Sequence, residues 1–171
     1  MTYRFFVTLV FSFFLSGCGQ GRKEVFPKEN FAVVEVHSGG ANAVGSFNIA
    51  YKDFPYKSDY PWCLHLSIAL DSSGLFSNGL PDPSESEVAH KLEDELLTEI
   101  KKKAVAHYVG DLFNDAFLDV YVYLDKPEEI HRYLQTQINK EGLVRGFGYT
   151  IDKDAPWTTV EHFLSAYKKE K

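Results

Sequence analysis

The chain is short of cysteine, has no surplus of positive charge, and has no apolar run of bilayer-spanning length. Its 171 residues include two cysteines, Cys18 and Cys63, which excludes a disulfide-stapled scaffold. Lys and Arg total 18 against 24 Asp and Glu, a formal charge of −6. Nucleic-acid binding needs a basic footprint, so no nucleic-acid partner is expected. The longest apolar stretch, residues 5–15, is too short for a spanning helix, which takes about 20 residues. Six histidines (His37, His65, His90, His107, His131 and His162) are scattered without zinc-site spacing. Only His65 and His107, both in strand-like segments, could meet across a sheet, and two ligands fall short of the three or four zinc takes. His90 and His131 read as solvated helix positions. No metal and no cofactor is expected. No serine stands in a Gly-x-Ser-x-Gly setting either.

What the chain does have is a three-part leader. Arg4 precedes the apolar run, and Leu15-Ser16-Gly17-Cys18 closes it. A charged start, a short apolar core and small residues before a cut make a secretory signal peptide. A cysteine directly after Leu-Ser-Gly resembles the lipobox of bacterial lipoproteins. That resemblance implies cleavage before Cys18, lipidation of its sulfur with palmitate-type chains, and usually acylation of the new amino terminus. Two or more acyl chains hold a protein stably on a membrane. Gly19, not Asp, follows the cysteine. By resemblance to enterobacterial lipoproteins, that favours the outer membrane in a host that has one. The expectation is an exported protein tethered to the cell envelope. Residues 1–17 are the signal peptide, 18–30 the lipidated cysteine and flexible tether, and 31–171 a single domain. Loss of Arg4 with the leader takes the formal charge to −7, and Cys63 is left as the lone thiol.

Residues 31–36 and 46–51 read as strands around a Gly-rich turn, a loose hairpin. Residues 62–70 alternate strictly, with Trp62, Leu64, Leu66, Ile68 and Leu70 on one face and Cys63, His65, Ser67 and Ala69 on the other. Ser84 and Glu87 form a capping box ahead of a helix whose stripe is Val88, Leu92, Leu96 and Ile100. Glu93, Asp94 and Glu95 read as its solvated face. Residues 105–112 and 117–124 read as paired strands turning at Asn114 and Asp115. A second helix follows Pro127, boxed by Asp125 and Glu128, with Ile130, Leu134 and Ile138 inward and Gly142 as its stop. Residues 143–151 read as the last strand. Thr158 and Glu161 then box a short helix over 157–168. From residue 62 the order is β-α-β-β-α-β. The expected fold class is α+β, a ferredoxin-like sandwich over 62–151 with a four-stranded antiparallel sheet and two helices on one face. The hairpin over 31–51 is expected to extend or cover that sheet.

Leu80-Pro81 leads into the helix that carries Leu92-Glu93-Asp94, and one strand reads Val120-Tyr121-Val122-Tyr123. Asp152-Lys153-Asp154-Ala155-Pro156-Trp157 follows near the C-terminus. Together these are similar to domain of unknown function 695, over residues 31–165. The resemblance implies the fold and supplies no activity.

Alternation leaves a second sheet face opposite the helices. It carries Cys63, His65 and Ser67, then Phe117, Asp119, Tyr121 and Tyr123, while the last strand adds either Arg145, Phe147 and Tyr149 or their neighbours. His65, Tyr121, Tyr123, Phe147 and Tyr149 form the candidate binding face. Large exposed aromatic patches are rare, so the hairpin, or a second copy in a homodimer, is expected to cover much of it and leave a shallow groove. The leading expectation is a non-enzymatic, lipid-anchored module that binds a protein partner or a small-molecule ligand. The alternative is a thiol-dependent or hydrolytic enzyme with Cys63 as nucleophile, His65 as base and Asp119 as orienter.

Overall fold

The computed structural model describes residues 24–38 and 41–166. The expected signal peptide over 1–17, Cys18, the start of the expected tether and the expected end of the C-terminal helix at 168 lie outside those residues. The elements are β1 (Phe31–Ser38), β2 (Ala41–Asn48), β3 (Trp62–Ala69), α1 (Pro83–Lys101), β4 (Ala106–Asn114), β5 (Phe117–Leu124), α2 (Pro127–Gln137), β6 (Phe147–Lys153) and α3 (Thr158–Ala166). The six strands make one antiparallel sheet in the order β1-β2-β4-β5-β3-β6. The fold is therefore mixed α+β, but its sheet has six strands where the sequence pattern implied four.

The two extra strands come from the N-terminal hairpin. Val44 to Phe47 of β2 pair with Phe113 to Gly110 of β4. An unpaired strand edge leaves a row of unsatisfied N–H and C=O groups, and β2 satisfies those of β4. Two glycines allow the approach. A Cβ on Gly45 would stand 2.0 Å from the Asp111 carbonyl oxygen, and one on Gly110 2.4 Å from that of Ser46.

The alternation in β3 and β5 builds one core under α1 and α2. Leu64, Leu66 and Ile68 join Leu118, Val120, Val122 and Leu124 there, all fully buried. Leu66 and Val120 are directly paired. Ala89, Leu92, Leu96 and Ile100 of α1 and Ile130 and Leu134 of α2 close the layer. Each such Leu, Ile or Val contributes about 1.5–3 kcal/mol of burial.

The opposite face of the sheet is a second core. Cys63, Tyr121 and Tyr123 pack under Trp157 and under Val160, Phe163 and Leu164 of α3. Phe47 of β2 and the connector side chains Tyr51, Phe54 and Tyr60 complete it. The covering is done by the connector and α3, while the hairpin lengthens the sheet. The result is three layers, helices above and below one sheet.

Local chemistry moves several boundaries. Helix α1 starts at Pro83, with Asp82 as its cap accepting from the Glu85 amide at 2.9 Å, two residues before the Ser84 box. Asp125 does not cap α2, because its carboxylate accepts from the Val105 amide at 3.0 Å. Strand β6 starts at Phe147 rather than 143, and Arg145 ahead of it is held in an ion pair with the buried Glu85 of α1. The cap of α3 is Asp154, four residues before Thr158. Trp157 between them takes a left-handed φ of 64°, a strained conformation for a bulky residue, and its ring is fully buried.

Candidate functional site

His65, Tyr121 and Tyr123 share the second sheet face as expected, but they do not form an open platform. Tyr121 and Tyr123 are buried beneath α3. The His65 ring stacks on Tyr121 at 4.9 Å and 4°, and its side chain is one-third exposed. His65 Nε2 lies 2.9 Å from Asp119 Oδ1, and the Ser67 hydroxyl donates to the same oxygen at 2.6 Å. With the Ser67 proton committed to Asp119, the three groups make a closed polar clasp rather than a nucleophile and its base. His65 and His107 do not meet, because β5 lies between their strands.

The thiol reading fares worse. Cys63 is buried, and its polar neighbours are Tyr123 and Thr159. Burial pushes the thiol pKa up to about 11, against the charge state a nucleophile needs. Cys63 is only 3 % exposed, so its thiol presents little surface to a substrate.

Phe147 and Tyr149 are on the other face. The register pairs Phe147 with Ile68 and Tyr149 with Leu66, so the period of two aims both toward the helices. Gly148 and Thr150 take the positions opposite, level with Ser67 and His65.

Tyr149 nonetheless lines a concavity on the helix side of the sheet. A groove of about 510 Å³ runs between α2 and β6. That is within the usual size of ligand sites, about 300–1,000 Å³. Its apolar surface comes from Trp62, Ile138 and Ile151, and its polar groups from His131, Arg132 and Tyr149. Helix α2 turns Ile130 and Leu134 into the core, which leaves His131 and Gln135, one turn apart, over β6. The two fix the tyrosine. Gln135 Nε2 donates to Tyr149 Oη at 2.7 Å, and His131 Nδ1 lies 3.0 Å from that oxygen.

Tyr149, Thr150 and Ile151 all line the groove. Successive strand residues point to opposite faces, so a cavity touching three in a row follows the strand's edge. β6 is the terminal strand of the sheet, and β3 is its only strand partner among the described residues. The groove thus combines an apolar trough, a pinned hydroxyl and imidazole, and an open row of backbone donors and acceptors.

Of these residues, sequence reasoning found Tyr149 and placed it on the wrong face. It missed Trp62, His131, Gln135 and Ile151. The available signal was the His131 and Gln135 spacing on the flank of the α2 stripe.

No curated protein and no solved structure matches the chain. A family model does match, over residues 29–165, from just before β1 to the last turn of α3. The chain that folds into this six-stranded, three-layered domain belongs to the family of unknown function DUF695.

Proposed function

We propose that this is an exported, lipid-anchored, non-enzymatic module of the cell envelope that captures an extended segment of a partner protein along β6. The observation that carries the reading is the groove beside an open strand edge. Strand addition draws affinity from main-chain hydrogen bonds and specificity from pockets that take alternate side chains. Here the pocket is the trough of Trp62, Ile138 and Ile151, suited to an aliphatic or aromatic anchor.

The unit β3-α1-β4-β5-α2-β6 reads as a ferredoxin-like sandwich with the hairpin added at the β4 edge. That addition protects one edge and leaves β6 free at the other. The anchor is Cys18, after a signal peptide over residues 1–17, with residues 18–30 as tether. Gly19 after the cysteine, by resemblance to enterobacterial lipoproteins, favours an outer-membrane address in a host that has one. The acidic charge argues against nucleic acid.

The test is site-directed photo-crosslinking in the native envelope. A photoreactive residue at Gln135 should yield a defined adduct that disappears when Ile151→Lys places a charge in the trough. The same residue at Val33, exposed on β1, should yield none. An adduct at Val33 alone, or one at Gln135 that ignores Ile151→Lys, contradicts the reading. An adduct of twice the chain mass would make the occupant a second copy. A small-molecule ligand would instead leave Gln135 without a protein adduct.

A further inference from the structure

We infer that His90, Glu93 and Asp111 form a binding site for a divalent transition-metal ion, zinc by its ligand chemistry. The site lies between α1 and β4, on the helix face, across the sheet from β6. His90 and Glu93 are three residues apart and share one side of α1. Asp111 faces them from β4, where Val120 is its paired residue on the same face.

The three groups offer one nitrogen and two carboxylate oxygens, all within 4.8 Å of one another. His90 Nε2 is 3.7 Å from Asp111 Oδ2 and 4.0 Å from Glu93 Oε2. Ligand atoms around a tetrahedral zinc stand about 3.3 Å apart, given bonds of about 2.0–2.1 Å. Closing the set onto an ion from separations of 3.7–4.8 Å therefore takes side-chain shifts of about 1 Å, within the reach of rotamer adjustment. Three protein ligands leave a fourth position for water or another ligand, the arrangement of open zinc sites.

A second observation points to a missing charge. Glu93 is 97 % buried, with a relative exposure of 3 %, and its Oε1 has no hydrogen-bond partner. A buried carboxylate oxygen left unpartnered is costly. Among the described residues no lysine or arginine pairs with Glu93 or Asp111, and their only ion-pair neighbour is His90. A cation between the carboxylates would supply what is absent. Exposure of the His90 side chain, 40 %, provides the path in.

The outer contacts are also those of a ligand set. Ser86 Oγ lies 3.3 Å from His90 Nδ1, which leaves Nε2 to face the carboxylates. Tyr108 donates to Asp111 Oδ2 at 2.6 Å, and the Ser46 amide donates to Asp111 Oδ1 at 3.3 Å. Such partners orient ligands and tune their basicity.

The experiment titrates the full chain, purified in detergent, with zinc against a chromogenic chelator, and with cobalt followed by its visible bands. One ion per chain is expected. Glu93→Gln and His90→Ala should each weaken zinc by about 100-fold or more and abolish the cobalt bands, and Tyr108→Phe should weaken it about 10-fold. His162→Ala, on the exposed side of α3, should change nothing. A wild type with no saturable zinc binding, or a Glu93→Gln chain with wild-type affinity, overturns the site. Should Glu93→Gln fail to fold, the His90 ring nitrogens of the wild type decide. A zinc-dependent shift at Nε2 supports the site, and an unperturbed ring overturns it.

Discussion

Tyr123 Oη donates to Asp154 Oδ2 at 2.6 Å, with the Trp157 ring stacked on the Tyr123 ring 3.9 Å away. The same carboxylate caps α3, accepting from the Thr158 and Thr159 amides at 2.9 Å each. One side chain thus joins the central strand β5 to the helix that seals the second core. Burial pushes the Asp154 pKa up, but the hydrogen bonds from Tyr123, Thr158 and Thr159 outweigh it and hold the group below the usual carboxylate range. The folded value lies below the unfolded one, about 3.9, so the unfolded chain binds the proton first as pH falls. The stability from Asp154 is present above about pH 4 and is lost below it. Asp154→Asn should cost about 1–3 kcal/mol at neutral pH and flatten the acid limb of the thermal midpoint. An acid limb as steep as wild type would contradict this role.

His107 predicts a second window. It is fully buried, its Nδ1 3.2 Å from Tyr51 Oη, and its Nε2 has no partner. Tyr60, Phe54 and Trp157 surround the ring. Desolvation pushes its pKa down to about 4. The unfolded value is about 6.5, so stability held by the neutral ring is full above that and drains between about pH 6.5 and 4. His107→Phe should remove that slope in urea unfolding. Parallel wild-type and variant curves would show that the ring does not titrate with folding.

The two cysteines should behave oppositely. Cys18→Ser should abolish lipidation and release the chain from the detergent phase. Cys63, buried and with its thiol pKa near 11, should resist alkylation in the folded protein and react on unfolding. Rapid labelling under native conditions would reopen the thiol-enzyme reading.

Leu66→Ala should cost about 2–5 kcal/mol, the range for a large-to-small core change. Leu66 is fully buried opposite Val120. A midpoint shift near zero in chemical denaturation would contradict the helix-face assignment.

Much of the fold was legible because β3 alternates strictly and α1 and α2 carry apolar stripes. Those are local signals, and they gave the element order. What stayed hidden depends on distant partners. Glu93 reads as one of three solvated acids, yet α1 turns it onto Tyr108 and Asp111 of β4. Phe147 and Tyr149 alternate plainly, but only pairing with β3 sets which face they take. The hairpin or a second copy was expected to cover the second face, whereas Trp157 and α3, more than thirty residues beyond β5, do so with the connector. The groove was the least legible part. It needs an edge strand, and edges are a property of sheet order, not of any one segment.

Hydrogen exchange across β6 tests the binding account most directly. It is read on the full chain in its own membranes and again after purification in detergent. Strand addition predicts that amides of residues 147–153 exchange more slowly in the membranes, while residues 31–36 at the opposite edge exchange alike in both. Equal exchange of β6 in the two states, or protection confined to β1, would contradict it.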